Sequence, residues 1–440
     1  VTDAPPAHPR LMGPWMATAL VIGNMIGSGV FLLPASLAPL GWNSLYGWLL
    51  TIGGTLCLAY ICARMARDMA GGCGPLTYTR AAFGDGMGFI VAWSYWISVF
   101  VANATLAVAA ISNLSILWPV LGTTPGAPAI AAVAVIWLFT IINCLGVRTA
   151  GGVQVITTLL KLVPLAGAIG VAAWILLRDG SGAVAPYDAQ PITAYNISAA
   201  ATLTLFALLG FESALVAGDR IANPRKLIPR ATLVGVGLTG LIYLLCSSAV
   251  TLLLPADAVA GSASPFALFF ATFVHPALGP LVALFAVIAA LGAINGYVLL
   301  QGEIPLALAR VNLFPHWFCR LNRNEIPVRA HILSSTLASL LVLTNYSRSM
   351  ADLFVFMLLV TTSVSLLFYL AAAASSLKLV RLGKIQSSPG FDLIAVTAFI
   401  YSCWTLYGAG IEASVWSVVM TATGLPVYWW MRRRNAAAPA

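Results

Sequence analysis

Charged side chains are scarce in this chain: Asp, Glu, Lys and Arg make up 8% of its 440 residues, while 60% are hydrophobic. A soluble domain carries about a quarter charged residues, so water is excluded as the main solvent. Paired cysteines are lacking too. Cys57, Cys62, Cys73, Cys144, Cys246, Cys319 and Cys403 show no CxxC spacing, which argues for small thiols in apolar surroundings rather than a metal or dithiol centre. The four histidines, His8, His275, His316 and His331, stand outside the apolar runs or near their ends. That placement argues against a proton relay at mid-membrane and against a metal-dependent enzyme at its edge. No GxxxxGK[ST] loop is present, which excludes an ATP-driven pump. No charged ring or polar stripe suggests a channel. No cofactor is expected.

What the chain does have is apolar runs of about 20 residues, each able to cross a hydrocarbon core of ~30 Å. Twelve are read, over residues 15–36, 44–63, 87–113, 128–146, 153–177, 195–217, 229–253, 278–302, 328–344, 352–376, 391–409 and 412–431. Runs such as 281–300 do not alternate, as the strands of a membrane barrel would. The polar first ten residues and the long first run do not fit a cleavable signal. The expected fold is therefore an all-α integral membrane protein with the lipid bilayer as its solvent.

The net charge of +9 is distributed by topology. With the N-terminus in the cytoplasm, the inner loops and tails collect Arg10, Arg64, Arg67, Arg80, Arg148, Arg220, Arg225, Lys226, Arg230, Arg310, Arg320, Arg323, Arg329, Lys378, Arg381, Lys384, Arg432, Arg433 and Arg434. Only Arg178 and Arg348 fall on the other side. This positive-inside pattern implies cytoplasmic termini, and no nucleic-acid partner is expected.

Two spans carry the marks of interruption. The first contains Gly23-Asn24-Met25-Ile26-Gly27-Ser28-Gly29-Val30-Phe31. Gly27, Ser28 and Gly29 are consecutive and cannot share one packing face of a helix, so a GxxxG contact explains them poorly. The sixth contains Phe206-Ala207-Leu208-Leu209-Gly210-Phe211-Glu212-Ser213, a glycine followed by an acid inside the membrane. Breaks at depth must face protein or a polar cavity. Their occurrence in the first and sixth of ten spans points to two inverted five-helix repeats with a substrate site at the midplane. The expected layout is a tail at 1–12, repeats at 13–180 and 190–380, two further helices at 388–431 and a tail at 432–440. Half-helix ends there offer amides to a carboxylate and carbonyls to a cation.

These motifs resemble those of the amino acid–polyamine–organocation superfamily, in particular its bacterial arginine/agmatine and putrescine/ornithine antiporter group. Besides the two breaks, the resemblance rests on a glycine–tyrosine loop at 71–84, on Asn223-Pro224-Arg225-Lys226-Leu227-Ile228-Pro229-Arg230-Ala231, on Leu313-Phe314-Pro315 and on Ile326-Pro327. It implies a LeuT-type fold with broken helices 1 and 6, working by alternating access in the inner membrane, with a homodimer as one candidate assembly. It implies that the amides around Ile26, Gly27, Ser28 and Gly29 hold a substrate carboxylate, that Asn24 also contacts the substrate, and that the backbone about Phe206 and Leu209 takes the amino group. Phe206 is implied as an aromatic gate, Tyr297 as a stacking surface and neighbouring Asn295 as a substrate contact. Tyr95, Asn103 and Thr361 are implied as polar lining. For Asn103, interhelical bonding is the equal alternative.

Away from clear loop ends, three ionisable groups fall in the spans or at their edge: Lys161, Glu212 and, at the end of the eighth, Glu303. Such groups are functional hypotheses by default. Glu212 matches an acid-sensing position of the arginine/agmatine group, and Glu303 is expected to face the cytoplasm. Lys161 departs from that group, which has a small residue there. In other superfamily members a lysine on this helix stands where sodium binds in LeuT-type symporters. Lys161 is therefore expected to make transport sodium-independent and to carry a proton, pointing at unwound helix 1 and at Thr361, Thr362 and Ser363. The function implied is secondary transport of a basic amino acid or its amine product. Exchange or proton symport of neutral amino acids is the alternative.

Overall fold

The computed structural model describes residues 12–69, 74–184, 191–344 and 350–437. His8, Arg10, Cys73, Arg348 and nearly all of the tail at 1–12 lie outside them. The described residues form helices throughout, apart from one isolated parallel bridge between Met12 and Ile221. Every one of the twelve sequence segments carries helix. Nine segments, from Pro14–Leu40 to Pro389–Gly408, are long and apolar enough to cross a membrane, and the sixth and ninth are the shorter apolar helices Ala194–Leu208 and Val328–Thr344. The twelfth is divided at Thr423 into Gly410–Ala422 and Gly424–Ala437.

The third span (Asp85–Leu114) is the axle of the bundle, packed chiefly against the eighth (Leu278–Arg310) and tenth (Met350–Arg381). Small residues allow the close crossings that dispersion in hydrocarbon requires. Gly47 lies against Ala200 of the sixth span, and Gly54 against the Tyr401 ring of the eleventh. On the outside, Leu138, Ile141, Leu159, Leu177, Val234 and Ile400 are exposed, as suits side chains solvated by lipid.

Two stretches read from the sequence as loops are helical. Residues Gly74–Phe83 form a short helix with Pro75 in its first turn, stopped by Gly84 at φ +85°, a backbone region that favours glycine. This helix packs on the third and tenth spans. The basic stretch after Asn223 is the opening of the seventh span, Pro224–Leu253, because a proline at the first helical position starts a helix rather than preventing one.

Candidate functional site

The first span breaks where its glycines predict. Its first half, Pro14–Met25, ends at Ile26 (φ −79°, ψ 86°), and a second half, Gly29–Leu37, starts behind Ser28. A terminated helix leaves its last carbonyls without intrahelical donors, and here other spans supply them. The Lys161 ammonium, fully buried on the fifth span (Val147–Asp179), donates to the carbonyls of Gly23 at 2.7 Å and Ile26 at 2.6 Å. The Tyr243 hydroxyl of the seventh span donates to the Met25 carbonyl at 2.6 Å. Lys161 does not reach Thr361, Thr362 or Ser363. The tenth span is unbroken there, and Thr361 and Thr362 donate to their own helix at Met357 and Leu358, so that segment has no freed carbonyl to attract an ammonium.

On the far side of the break the amides of Ser28, Gly29 and Val30 stand ahead of the first intrahelical bond, which reaches Phe31. The Ser28 hydroxyl is buried and has no partner among the described residues. Gly27 and Gly29 keep neighbours close. A methyl group at Gly27 would lie 2.8 Å from Leu106 and 3.2 Å from Ala293, and one at Gly29 would lie 3.1 Å from the Phe206 ring and 3.6 Å from the Ala207 Cα. Phe206 in turn meets Phe354 edge-on, with ring centroids 6.0 Å apart.

The sixth span breaks just beyond that contact. Ala194–Leu208 ends at Leu209 in extended geometry (ψ 147°), Gly210 takes φ +103°, and a short turn of helix resumes over Ser213–Val216. The carbonyls of Ala207, Leu208 and Leu209 follow the last helical acceptors and receive no bond among the described residues. Glu212 is enclosed: Tyr95 and Tyr369 donate to its two carboxylate oxygens, each at 2.9 Å, and the Gly210 amide also donates to it at 3.3 Å. The Tyr297 hydroxyl lies beside Gly210, 2.9 Å from where a methyl group there would sit. Ser213 donates to the Gly210 carbonyl and accepts from the Asn24 amide at 2.7 Å, tying the two breaks together.

The remaining candidates are set back from the breaks. Asn103 donates to Gln301 at 2.8 Å within a second buried polar group. There Gln301 donates to Ser335, Ser335 pairs with Thr140, and the Trp96 indole donates to Ser334. This joins the third, fourth, eighth and ninth spans, the bonding alternative for Asn103. Its carbonyl oxygen has no partner among the described residues. Thr361 lies 3.5 Å from Thr105. Asn295 donates to Gln154 at 3.2 Å.

Glu303 does not simply face the cytoplasm. It is buried and paired with Arg220 at 3.2 Å, because the eighth helix continues to Arg310 and carries Glu303 inside the packed end of the bundle. Arg220 also reaches Glu325. His331 is likewise buried, its ring against Gly302.

Sequence reasoning missed Gln154, Asn143, Tyr243, Tyr369 and Gln301. Each lies in a predicted span, and its partner is a distant polar group that no local pattern announces. Among the described residues no cluster of His, Cys, Asp and Glu has the form of a metal site.

Comparison with known proteins finds transporters. A cadaverine/lysine antiporter of Escherichia coli (strain K12) is 30% identical over 341 residues, 77% of this chain and 76% of the relative. A putrescine transporter of Haemophilus influenzae is 29% identical over 428 residues, 96% of this chain and 97% of its own. A putrescine transporter of Escherichia coli (strain K12) is 27% identical over 433 residues, 96% of each chain. The apolar helices among the described residues, together with the bacterial transporters it resembles, make this chain a multi-pass protein of the bacterial inner membrane. The amino acid permease model matches residues 12–431, so the chain belongs to the amino acid permease family.

Proposed function

We propose that this protein is a sodium-independent secondary antiporter that exchanges a basic amino acid for its decarboxylated amine by alternating access. The observation that carries the proposal is the meeting of two opposite half-helix ends. Gly29 packs on Phe206 and Ala207, so the bare amides of Ser28, Gly29 and Val30 stand next to the bare carbonyls of Ala207, Leu208 and Leu209. The first set suits a carboxylate and the second an ammonium, the two groups of an α-amino acid. A diamine needs only the second set. Relatives named for lysine with cadaverine and for putrescine support this class of substrate.

In this reading twelve spans form, the first ten as two inverted five-helix repeats at 13–180 and 190–380, with both termini in the cytoplasm. Asn24, Ile26, Gly27, Ser28 and Gly29 bind the carboxylate end, and the backbone at Phe206 and Leu209 the ammonium. Tyr297, Asn295, Tyr95, Asn103 and Thr361 line the side-chain path. Glu212 takes part in proton response, and Lys161 fills the place of a coupling cation. Lys161 also favours a second reading, exchange or proton symport of neutral amino acids, because an ammonium that crosslinks the first break is compatible with either cargo.

The test is counterflow in sodium-free proteoliposomes. Vesicles loaded with lysine, cadaverine, ornithine, putrescine or a neutral amino acid are assayed for uptake of each labelled partner. The proposal expects exchange of basic amino acid against amine without sodium. Exchange confined to neutral amino acids moves the assignment to the second reading, and a strict need for sodium overturns the coupling.

A further inference from the structure

Buried side-chain amides link the two breaks to the rest of the bundle in a single line. Asn143 of the fourth span donates to the Asn295 backbone and side-chain oxygens, both at 3.2 Å. Asn295 donates to Gln154 at 3.2 Å, Gln154 to Asn24 at 3.3 Å, Asn24 to Ser213 at 2.7 Å, and Ser213 to the Gly210 carbonyl. Every member is at most 3% exposed. Five spans, the fourth, eighth, fifth, first and sixth, are threaded by it.

The direction of the line is fixed at both ends. A carbonyl can only accept, so Ser213 must donate to Gly210 and therefore accept from the Asn24 NH2. That leaves the Asn24 oxygen for Gln154, the Gln154 oxygen for Asn295 and the Asn295 oxygen for Asn143. At the other end the Asn143 NH2 has two hydrogens for three acceptors: one goes to the Phe139 carbonyl and the other is shared between the Asn295 backbone and side-chain oxygens, which sets the same direction. No single amide turns over without placing two donors or two acceptors face to face, and such a chain holds cooperatively.

Gln154 is the only member on the fifth span and the link between the Asn143–Asn295 pair and the breaks. It presses on Gly23, where an added methyl group would collide with Gln154 and Thr158. We infer that Gln154 is a positioning residue: through Asn24 and Ser213 it sets the Gly210 peptide and with it the aim of the Ala207, Leu208 and Leu209 carbonyls at a substrate ammonium. The inference rests on the transport reading above. It predicts a particular kind of defect, because amino acid and amine both present an ammonium to those carbonyls.

The experiment compares wild type, Gln154→Leu, Ser213→Ala and the double variant in proteoliposome exchange, with half-saturating concentration and maximal rate measured for a basic amino acid and for its amine. Each single variant is expected to raise the half-saturating concentration of both substrates by a similar factor, about three- to tenfold, the worth of one hydrogen bond. Maximal rate per folded protein should change less. The double variant is expected to be no worse than the poorer single one, because both cut the same line. Unchanged half-saturation with a reduced maximal rate, or effects that multiply in the double variant, overturns the inference. Ser213→Ala removes little volume and decides the matter alone if Gln154→Leu does not fold. A wild type that exchanges no amine or amino acid refutes the transport reading instead, so the two failures are distinguishable.

Discussion

Lys161 does for the first span what a missing turn of helix would have done: it returns hydrogen-bond donors to Gly23 and Ile26. Truncating it leaves two buried carbonyls bare beside Gly292, whose backbone comes close enough that an added methyl group would lie 3.3 Å from the ammonium. Lys161→Ala is therefore expected to cut sodium-free uptake at least about tenfold, since buried groups left unpaired cost ~1–3 kcal/mol each. Lys161→Arg should keep part of the binding and lose its response to pH, because a guanidinium does not release its proton. Initial uptake rates across a pH series, with and without a sodium gradient, check both statements. Phe206, which covers Gly29, gives a second prediction. Phe206→Ala should weaken binding about tenfold, ~1.4 kcal/mol, while Phe206→Trp retains it, as read by scintillation proximity on purified protein.

At the scale of elements, the two breaks were legible because Gly27-Ser28-Gly29, and Gly210 with an acid two residues on, have no good packing explanation inside a span. The depth of Lys161 likewise announced an inward-pointing ammonium, and the freed carbonyls of the first span were its natural acceptors. The expectation that it also meets Thr361 failed on a point of helix geometry. A hydroxyl in an unbroken span returns its proton to the carbonyl four residues back, as Thr361 and Thr362 do. Gln154 and Asn143 escaped notice because one amide in an apolar run looks like any other until its partner, here 130 to 152 residues away, is known. The helix Gly74–Phe83 was hidden by its glycines, which read as loop although Gly74 opens it and Gly84 closes it. The breaks also depend on close neighbours. Gly27→Val would push into Leu106 and Ala293, an overpacking that costs ~1–3 kcal/mol. Its melting temperature should fall measurably and its substrate binding should disappear, whereas ordinary binding in this variant would mean that the carboxylate end has been misplaced.

The whole molecule is held at one end by charges drawn from separate segments. Arg220, beyond the sixth span, joins Glu303 of the eighth and Glu325 ahead of the ninth, while neighbouring Asp219 meets Arg310 at 3.6 Å. Breaking one partner of a buried pair costs ~3–5 kcal/mol, so in the alternating-access reading the Arg220–Glu303 pair is strong enough to bias the bundle between two arrangements. Glu303→Gln is expected to favour the arrangement in which this end is parted, read as faster thiol labelling of a cysteine introduced at Ala307. Unchanged labelling would make the cluster a static brace.

Beside that cluster, Met12 and the segment after Arg220 share two backbone bonds, from the Met12 amide to Arg220 at 2.7 Å and from the Ala222 amide to Met12 at 3.0 Å. These two hydrogens belong to stretches that adjoin different broken spans, and both are released when the two stretches separate. Their isotope uptake should therefore rise in step whenever the two stretches part, and stay low together when they do not. The chain thus contains its own clock for that motion, one that mass spectrometry of two short peptides can read with no label attached and no residue changed.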